Sequence, residues 1–310
     1  MNIITLTLNP AFDIHCYSEN FKPYHENLAK ITSFDAGGKG INISRALAKN
    51  GIESTAVIAL GEENGDDFLR ALSDEGIRLE KILLPGRIRE NITLHTSLSP
   101  ETRISFKGFL ADDTLLEKAR ALIWDKLDSD TVVTFTGTLP EGVSIEGAKK
   151  MLKEIKARGA KTVIDSKSFK LSDLIDCAPW LIKPNEEEIE EYTGVSITDS
   201  LSAVREAEKI RAAGIENVMI SLGKNGAVLA SSGGDFIAKA PTVNAVSTIG
   251  AGDSSIAGFL LAAKNNSSPQ DMLKLAVCYG SAACMTEGTK PPRKNDILTL
   301  LKTTEVIEIK

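Results

Sequence analysis

An acid placed at a glycine-rich helix start dominates the chemistry this sequence can offer. Ser247-Thr248-Ile249-Gly250-Ala251-Gly252-Asp253-Ser254 leads directly into the apolar run 256–263. Small residues let the backbone turn tightly, so that free N–H groups at the helix start point outward. Those donors and the helix dipole together form an anion site. Asp253 falls in the first turn, placed to take a proton from a hydroxyl that attacks the terminal phosphate of ATP. The N–H groups of Gly250, Ala251, Gly252 and Asp253 would stabilise charge on the transferring group. A strand-to-helix junction with a favourable first-turn acid explains the same residues locally. The segment is not a dinucleotide fingerprint, because Ser255 occupies the third glycine position. No P-loop exists either: Gly38-Lys39 is followed by Gly40, and Gly223-Lys224 by Asn225, where Ser or Thr is required.

Four further segments have both a chemical and a local reading. In Lys183-Pro184-Asn185-Glu186-Glu187-Glu188, Asn185 and Glu188 match a helix capping box with Asn as the cap. An amide and an acid there could also hold Mg²⁺ indirectly, since that ion keeps several waters. Ser221-Leu222-Gly223-Lys224-Asn225-Gly226-Ala227 carries Asn-Gly between strand-like runs, which predicts a hairpin turn. Its backbone could equally line a nucleotide. Ala36-Gly37-Gly38-Lys39-Gly40-Ile41-Asn42 opens a helix. Its glycines permit close approach, and Lys39 and Asn42 offer donors to sugar hydroxyls or phosphate. Arg87, Arg89, Arg103 and Lys107 form a cationic group suited to a substrate that already carries phosphate, which arginine grips bidentately.

The elements that must position these residues alternate. Strands are expected at 2–8, 54–60, 131–135, 161–164 and 217–221, and helices at 41–50, 65–75, 114–127, 145–158, 201–213, 254–265 and 269–285. Gly51, Gly76, Gly159 and Gly214 follow four of the helices. This order predicts an α/β fold with a mostly parallel sheet and helices on both faces. Two stretches, about 12–35 and 87–108, read as strands without helices between them. They are expected to form a small β-layer that covers a cleft as a lid, on one domain spanning 1–310.

Composition narrows the class further. The 310 residues are 42% hydrophobic, enough for a large core, and the net charge is -6 without blocks of like charge. Nothing points to nucleic acid or an anionic membrane as partner. The first residues lack the basic start of a signal peptide, and the apolar run 256–263 is too short for a bilayer, so a cytoplasmic protein is expected. Cys16, Cys177, Cys278 and Cys284 are scattered and read as reduced thiols, and His15, His25 and His95 show no zinc-type spacing.

In their order along nearly the whole chain, these segments resemble the PfkB (ribokinase-like) carbohydrate kinase family. The opening Thr7-Leu8-Asn9-Pro10-Ala11-Phe12-Asp13 resembles the branch containing 1-phosphofructokinase and tagatose-6-phosphate kinase. The resemblance implies a three-layer ribokinase-like domain with a β-sheet lid, paired lid to lid in homodimers. It also implies ATP and Mg²⁺. Asp253 matches the family's catalytic base and Gly250, Ala251 and Gly252 its anion hole. Asn185 and Glu188 match the residues tied to Mg²⁺ through water. Ser221, Gly223 and Gly226 match the ATP loop, with Lys183 and Thr248 beside it. Asp13, Gly38, Lys39 and Asn42 match sugar contacts, Arg89 the substrate-phosphate contact, and Thr138 lies in Gly137-Thr138-Leu139-Pro140 beside the sugar.

The chain departs from the branch at three points. Leu28 stands where Arg is usual, Ile88 precedes Arg89 in place of Thr, and Arg103 and Lys107 replace acidic or small residues. One of those two cations is expected to compensate for Leu28. The implied reaction is phosphorylation of a ketohexose phosphate, fructose 1-phosphate first and tagatose 6-phosphate second. A kinase of unphosphorylated sugars or nucleosides, or a non-catalytic sugar-phosphate sensor, are the rival readings.

Overall fold

The computed structural model describes residues 1–97 and 102–309. Its strands are β1 Asn2–Thr7, β2 Ala11–Ser18, β3 Lys30–Gly37, β4 Thr55–Gly61, β5 Arg78–Leu84, β6 Arg89–Thr96, β7 Thr102–Ser105, β8 Thr131–Thr136, β9 Lys161–Asp165, β10 Leu181–Ile182, β11 Asn217–Ser221, β12 Ala227–Ser231, β13 Gly234–Ala238 and β14 Val306–Ile309. Among the described residues they build two sheets. The larger runs β14-β13-β12-β11-β10-β9-β8-β1-β4-β5 and the smaller β3-β2-β6-β7. From β5 to β11 all neighbours in the larger sheet pair in parallel, and the β12–β14 end is antiparallel.

Parallel strands covered on both faces must be apolar on both, and Ala56-Val57-Ile58-Ala59-Leu60 of β4 is fully buried. Strand alternation divides the core into two layers. Ile4 and Leu6 pack on one side with Leu115, Ala148, Leu152 and Val204. Ile3 packs on the other with Ile43, Leu47, Phe259, Leu260 and Tyr279. This is the expected mostly parallel α/β fold with helices on both faces.

The smaller sheet is assembled from two excursions, β2–β3 between β1 and the helix Lys39–Lys49, and β6–β7 between β5 and the helix Thr114–Ile123. The second falls within the expected 87–108, and the first, Ala11 to Gly37, slightly overruns the expected 12–35 at both ends. Residues 98–101 of the expected 87–108 segment lie outside the described residues. Register divides its chemistry by face. Asp13 pairs with Asp35 and Asn91, His15 with Ser33 and Thr93, and Thr93 with Arg103, which makes one face polar. Ile14 pairs with Phe34 and Ile92, Cys16 with Leu94, and Ile92 with Ile104, which makes the other apolar. Phe12 anchors the apolar face to the main core through Phe34 and Phe68, at ring-centroid distances of 4.7 and 5.1 Å.

Several boundaries differ from the sequence expectation. The helix expected over 65–75 ends at Leu72. The one expected over 114–127 is α-helical to Ile123 and tightens to a 3₁₀ turn at Trp124–Lys126. The expected Asn225-Gly226 two-residue turn is a five-residue loop, because Ser221 pairs with Ala227 and Gly223–Asn225 form a 3₁₀ turn. Gly226 is required there at φ +101, since a Cβ would sit 2.0 Å from the Ala238 carbonyl oxygen. Strands β5, β10 and β14 and the helices Leu171–Cys177 and Lys294–Thr303 carry no clear sequence signal: β10 has two residues, and β5 and β14 are charged edge strands.

The helix Ala251–Lys264 is held by the helix Pro269–Ala283, which packs closely against it at Gly258. A Cβ built on Gly258 would lie 2.6 Å from the Leu275 carbonyl oxygen and 2.9 Å from Tyr279 Cβ. Gly258→Ala is therefore expected to lower stability by about 2 kcal/mol, overpacking outweighing the better helix propensity of alanine. Denaturant unfolding checks this, and a variant as stable as the parent would show that the two helices do not approach this closely.

Candidate active site

The carboxyl ends of β1, β8, β9 and β10 meet the N-termini of the helices Lys39–Lys49 and Ala251–Lys264. Ligands of open α/β sheets bind outside strand carboxyl ends where the chain order reverses, here at β1 and β8. The first helix lies against β1 because its start is glycine. A Cβ on Gly40 would stand 2.7 Å from the Leu6 carbonyl oxygen, and one on Gly38, at φ +140, 2.5 Å from Thr7 Cγ2. This seating directs Lys39 and Asn42 inward.

The second helix begins at Gly250, in the left-handed region at φ +77, and places Asp253 in its first turn. The Ala251 N–H turns back to the Thr248 carbonyl oxygen at 3.3 Å, whereas the sequence reading had all three small residues free for an anion. The N–H groups of Gly252 and Asp253 remain in the turn where a helix has no internal acceptors. Gly252 also makes room for a cation, since a Cβ there would lie 3.0 Å from Lys183 Nζ.

Four charged side chains share this space. Asp253 Oδ2 accepts a hydrogen bond from Asn42 Nδ2 at 2.8 Å. Asn42 is itself oriented by Arg45, whose guanidinium donates to Asn42 Oδ1 at 2.9 Å and to the Ala36 carbonyl oxygen at 2.7 Å. Lys39 Nζ lies 2.9 Å from Asp165 Oδ2, and Lys183 Nζ 3.9 Å from Asp165 Oδ1. Asp165, Lys183 and Asp253 are each no more than 6% exposed.

Burial pushes the Asp253 carboxyl up to about 6, against the Lys39 and Lys183 charges and the Asn42 hydrogen bond, with the Asp165 charge adding to the rise. Burial acts on Asp165 in the same sense, but Lys183 and Lys39 together outweigh it and hold this carboxyl below its usual range. Burial alone would lower the Lys39 ammonium, yet Asp165 and Asp253 raise it. Two neighbouring carboxylates thus have opposite tendencies. One stays ionised, and the other can exchange a proton near neutral pH. Asp165 was missed in the sequence. Its only signal there is an acid closing the apolar run Thr162-Val163-Ile164 at a strand's carboxyl end.

A cleft of about 720 Å³ opens on one side of this cluster. Lys183, Asn185, Ser221, Gly223, Gly226, Thr248, Ala251 and Gly252 all line it, so the residues expected around a nucleotide converge. Its far walls are apolar: Met219, Val243, Ala276 and Val277. Asn185 and Glu188 form the predicted capping box, Asn185 Oδ1 accepting from Glu188 N at 2.8 Å and Glu188 Oε2 accepting from Asn185 N at 3.0 Å. That leaves one Glu188 oxygen and the Asn185 amide N–H groups uncommitted by the box.

The polar face of the smaller sheet carries the other predicted residues. Asp13 Oδ1 accepts from Asn91 Nδ2 at 2.9 Å, and burial raises the Asp13 carboxyl against that hydrogen bond and the charges of Arg103 and Arg89. Arg89 donates weakly to the Asn9 carbonyl oxygen at 3.4 Å, and Asn9 Nδ2 donates to Thr138 Oγ1 at 3.1 Å. Arg89 Nε and Asn91 Oδ1 are buried and lack a partner among the described residues, so this face is incomplete without a polar ligand. Not every expected cation belongs to it. Arg87 is held by Glu90 and Lys107 by Glu141, both exposed, whereas the Arg103 charge reaches Asp13.

The pfkB family carbohydrate kinase model matches residues 7–296. The chain belongs to this family. It is 33% identical over 283 residues to the 1-phosphofructokinase of Escherichia coli (strain K12), covering 91% of this chain and 90% of that protein. It is 30% identical to the 1-phosphofructokinase of Bacillus subtilis (strain 168), covering 92% and 93%. Among solved structures, phosphofructokinase-2 from Escherichia coli in complex with substrates and products matches with a TM-score of 0.90 at 26% identity, over 98% of this chain and 99% of that one. The protein is thus an ATP-dependent sugar kinase with the ribokinase-like fold of this family.

An ionised Asp253 is costly in its site. Its carboxyl sits at about 6 when folded against an ordinary value of 3.8, so the cost is fully present above pH 6 and vanishes below 3.8. Asp253→Asn is expected to raise stability at pH 8 by on the order of 2 kcal/mol, with the gain shrinking as pH falls toward 4. Unfolding at pH 8 and pH 5 checks both signs. Equal or lower stability of the variant at pH 8 would contradict the burial argument.

Proposed function

We propose that this kinase phosphorylates fructose 1-phosphate to fructose 1,6-bisphosphate. The observation that carries the reading is Asp253. It is a buried carboxylate aligned by Asn42, its neighbours Ala251, Gly252 and Lys183 line a nucleotide-sized cleft with apolar walls, and the smaller sheet adds a polar face with unpartnered groups. The names of the curated relatives favour the sugar. The hydroxyl oxygen of the sugar bonds to the terminal phosphorus of ATP as the bond to the ADP oxygen breaks, and Asp253 takes the hydroxyl proton. The N–H groups of Gly252 and Asp253, with Lys183, face the charge that develops on the transferring group.

Ser221, Gly223, Gly226 and Thr248 line the nucleotide, and Gly250 sets the turn that aims the helix. Lys39, Asn42, Gly38, Asp13 and Thr138 surround the sugar. Arg89 and Arg103 take the phosphate it already carries, and Arg103 supplies the cation missing at Leu28, which is 89% exposed. The site suits Mg²⁺. The uncommitted Glu188 oxygen and Asp165 offer hard oxygen atoms, and among the described residues no cluster of three or more metal-binding groups exists to hold an ion directly. Glu188, Asn185 and Asp165 would hold it through water, and when bound it neutralises phosphate charge.

The smaller sheet acts as a lid that excludes water. Its apolar face, with Ile31 at 59%, Phe34 at 48% and Ile104 at 48% exposure, pairs with a second copy. Reduced thiols, MgATP and a sugar phosphate all fit a reaction in the cytoplasm.

ADP release measured with fructose 1-phosphate, fructose 6-phosphate and tagatose 6-phosphate should favour the first. Activity should fall as pH drops through about 6, where Asp253 becomes protonated, and Asp253→Asn should lose about 10²–10⁴-fold in kcat. Full activity in that variant, or preference for another sugar, would overturn the respective assignment. Arg103→Ala should raise the sugar-phosphate KM about tenfold, one charge-assisted hydrogen bond, and an unchanged KM would remove Arg103 from the site. Ile104→Asp should shift sedimentation from dimer to monomer, whereas a parent already monomeric would end the pairing idea.

A further inference from the structure

Two histidines distant in sequence meet in the smaller sheet. His15 Nδ1 and His95 Nε2 are 3.1 Å apart, with ring planes 14° from parallel and centroids 5.4 Å apart. His15 is buried, and its second nitrogen, Nε2, is also buried with no partner among the described residues. That nitrogen faces the main body of the protein. A Cβ built on Gly288 would lie 3.9 Å from His15 Nε2 and 3.4 Å from Asp35 Oδ2, so Gly288, at φ +55, admits the sheet to the loop after the helix Pro269–Ala283.

A cavity of about 570 Å³ marks the seam. His15, Ser33 and His95 line it from the sheet, and 245–249, Glu287 and Gly288 from the body. Both sides of the seam lead to the reaction. His15 is two residues from Asp13 on the same face of β2, and Ile249 directly precedes Gly250, where the helix bearing Asp253 begins. Acceptors dominate the seam. Asp35 and Glu287 stand on its two sides, and Lys290, bonded to Glu287 at 2.8 Å, also feels the Asp35 charge. In the tautomer in which His95 Nε2–H donates to His15 Nδ1, His15 Nε2 carries the outward proton and matches these acceptors.

We infer that His15 is a positioning residue for the proposed reaction. When the lid settles on sugar phosphate, His15 Nε2–H donates across the seam to an acceptor of the 287–288 loop, and this contact holds Asp13 against the substrate. The unpartnered nitrogen is the half of that contact already in place. His95 acts through His15 by fixing the ring and its tautomer. The inference rests on the sugar-phosphate reading, and the parent enzyme's activity on fructose 1-phosphate tests that reading separately.

The test compares His15→Val and His15→Gln in the full chain, with KM for sugar phosphate, KM for ATP and kcat measured for each. The valine variant should raise the sugar-phosphate KM about tenfold, the worth of one hydrogen bond, while kcat and the ATP KM stay within about twofold. The glutamine variant keeps an N–H at similar reach and should recover most of the loss. An unchanged sugar-phosphate KM in the valine variant, an equal rise in the ATP KM, or no recovery with glutamine would each overturn the assignment. Loss of kcat in both variants together with a lowered melting point would do the same, since it reduces the pair to a packing role.

Discussion

Asp165 and Asp253 are buried beside two ammonium groups, Lys39 and Lys183, and the rest of the site is arranged around that balance. Removing charges from water is costly unless each finds partners, and a lone buried carboxylate would simply protonate. Asp165 escapes this by sitting against Lys39 at 2.9 Å with Lys183 on its other side. Asp253 is compensated less completely: Asn42 donates to it at 2.8 Å, and the two lysines act at longer range. Incomplete compensation leaves a carboxyl that is ionised at neutral pH yet close enough to its own pKa to accept a proton. Full pairing would have made Asp253 as inert a base as Asp165.

That balance depends on backbones coming closer than side chains permit. Gly40 allows the helix carrying Lys39 and Asn42 to rest on β1, and Gly252 leaves the volume that Lys183 Nζ occupies. Gly258 lets the helix behind Asp253 seat on its neighbour. Each of these positions would be occupied by a better helix former if helix propensity alone decided. Their cost in propensity is recovered through placement, because the anion-facing N–H groups and the lysine must converge on one point. Charge cluster and close packing are therefore a single constraint.

What the sequence disclosed follows from how local each feature is. Asp253, the glycine turn before it, the Asn185–Glu188 capping box and the helix at Lys39 are all written in contiguous residues. Each was legible because turn and cap chemistry act over a few positions. Asp165 was not legible, since its role comes from Lys39, 126 positions away, and Lys183. The same holds for Asn91, which meets Asp13 only through strand pairing. Among the cations near the smaller sheet, sequence could not separate Arg103 from Arg87 and Lys107, because the distinction rests on Glu90 and Glu141 holding the latter two. Asn225-Gly226 correctly marked a hairpin, since β11 and β12 pair on either side of it, but not the loop's length, because the close approach of Gly226 to Ala238 of the next strand is not written locally.

The two sheets divide the labour between rigidity and adaptation. Everything that must not move, including Asp253, Asp165 and Lys183, is seated in the main layer, where buried parallel strands and two apolar cores resist displacement. The substrate-facing groups on the smaller sheet are less completely satisfied, and its opposite face is apolar and half exposed. Unpaired polar atoms such as Arg89 Nε, Asn91 Oδ1 and His15 Nε2 weigh against the sheet's present resting position and in favour of one in which a ligand or loop completes them. On the proposed reading, a phosphate-bearing sugar would satisfy the first two and draw the sheet inward, and its binding would exclude the water that otherwise competes for the phosphoryl group. On the same reading, selectivity for a sugar over water comes from the unsatisfied groups of the smaller sheet, and the chemistry from an incompletely compensated carboxylate seated in the main layer.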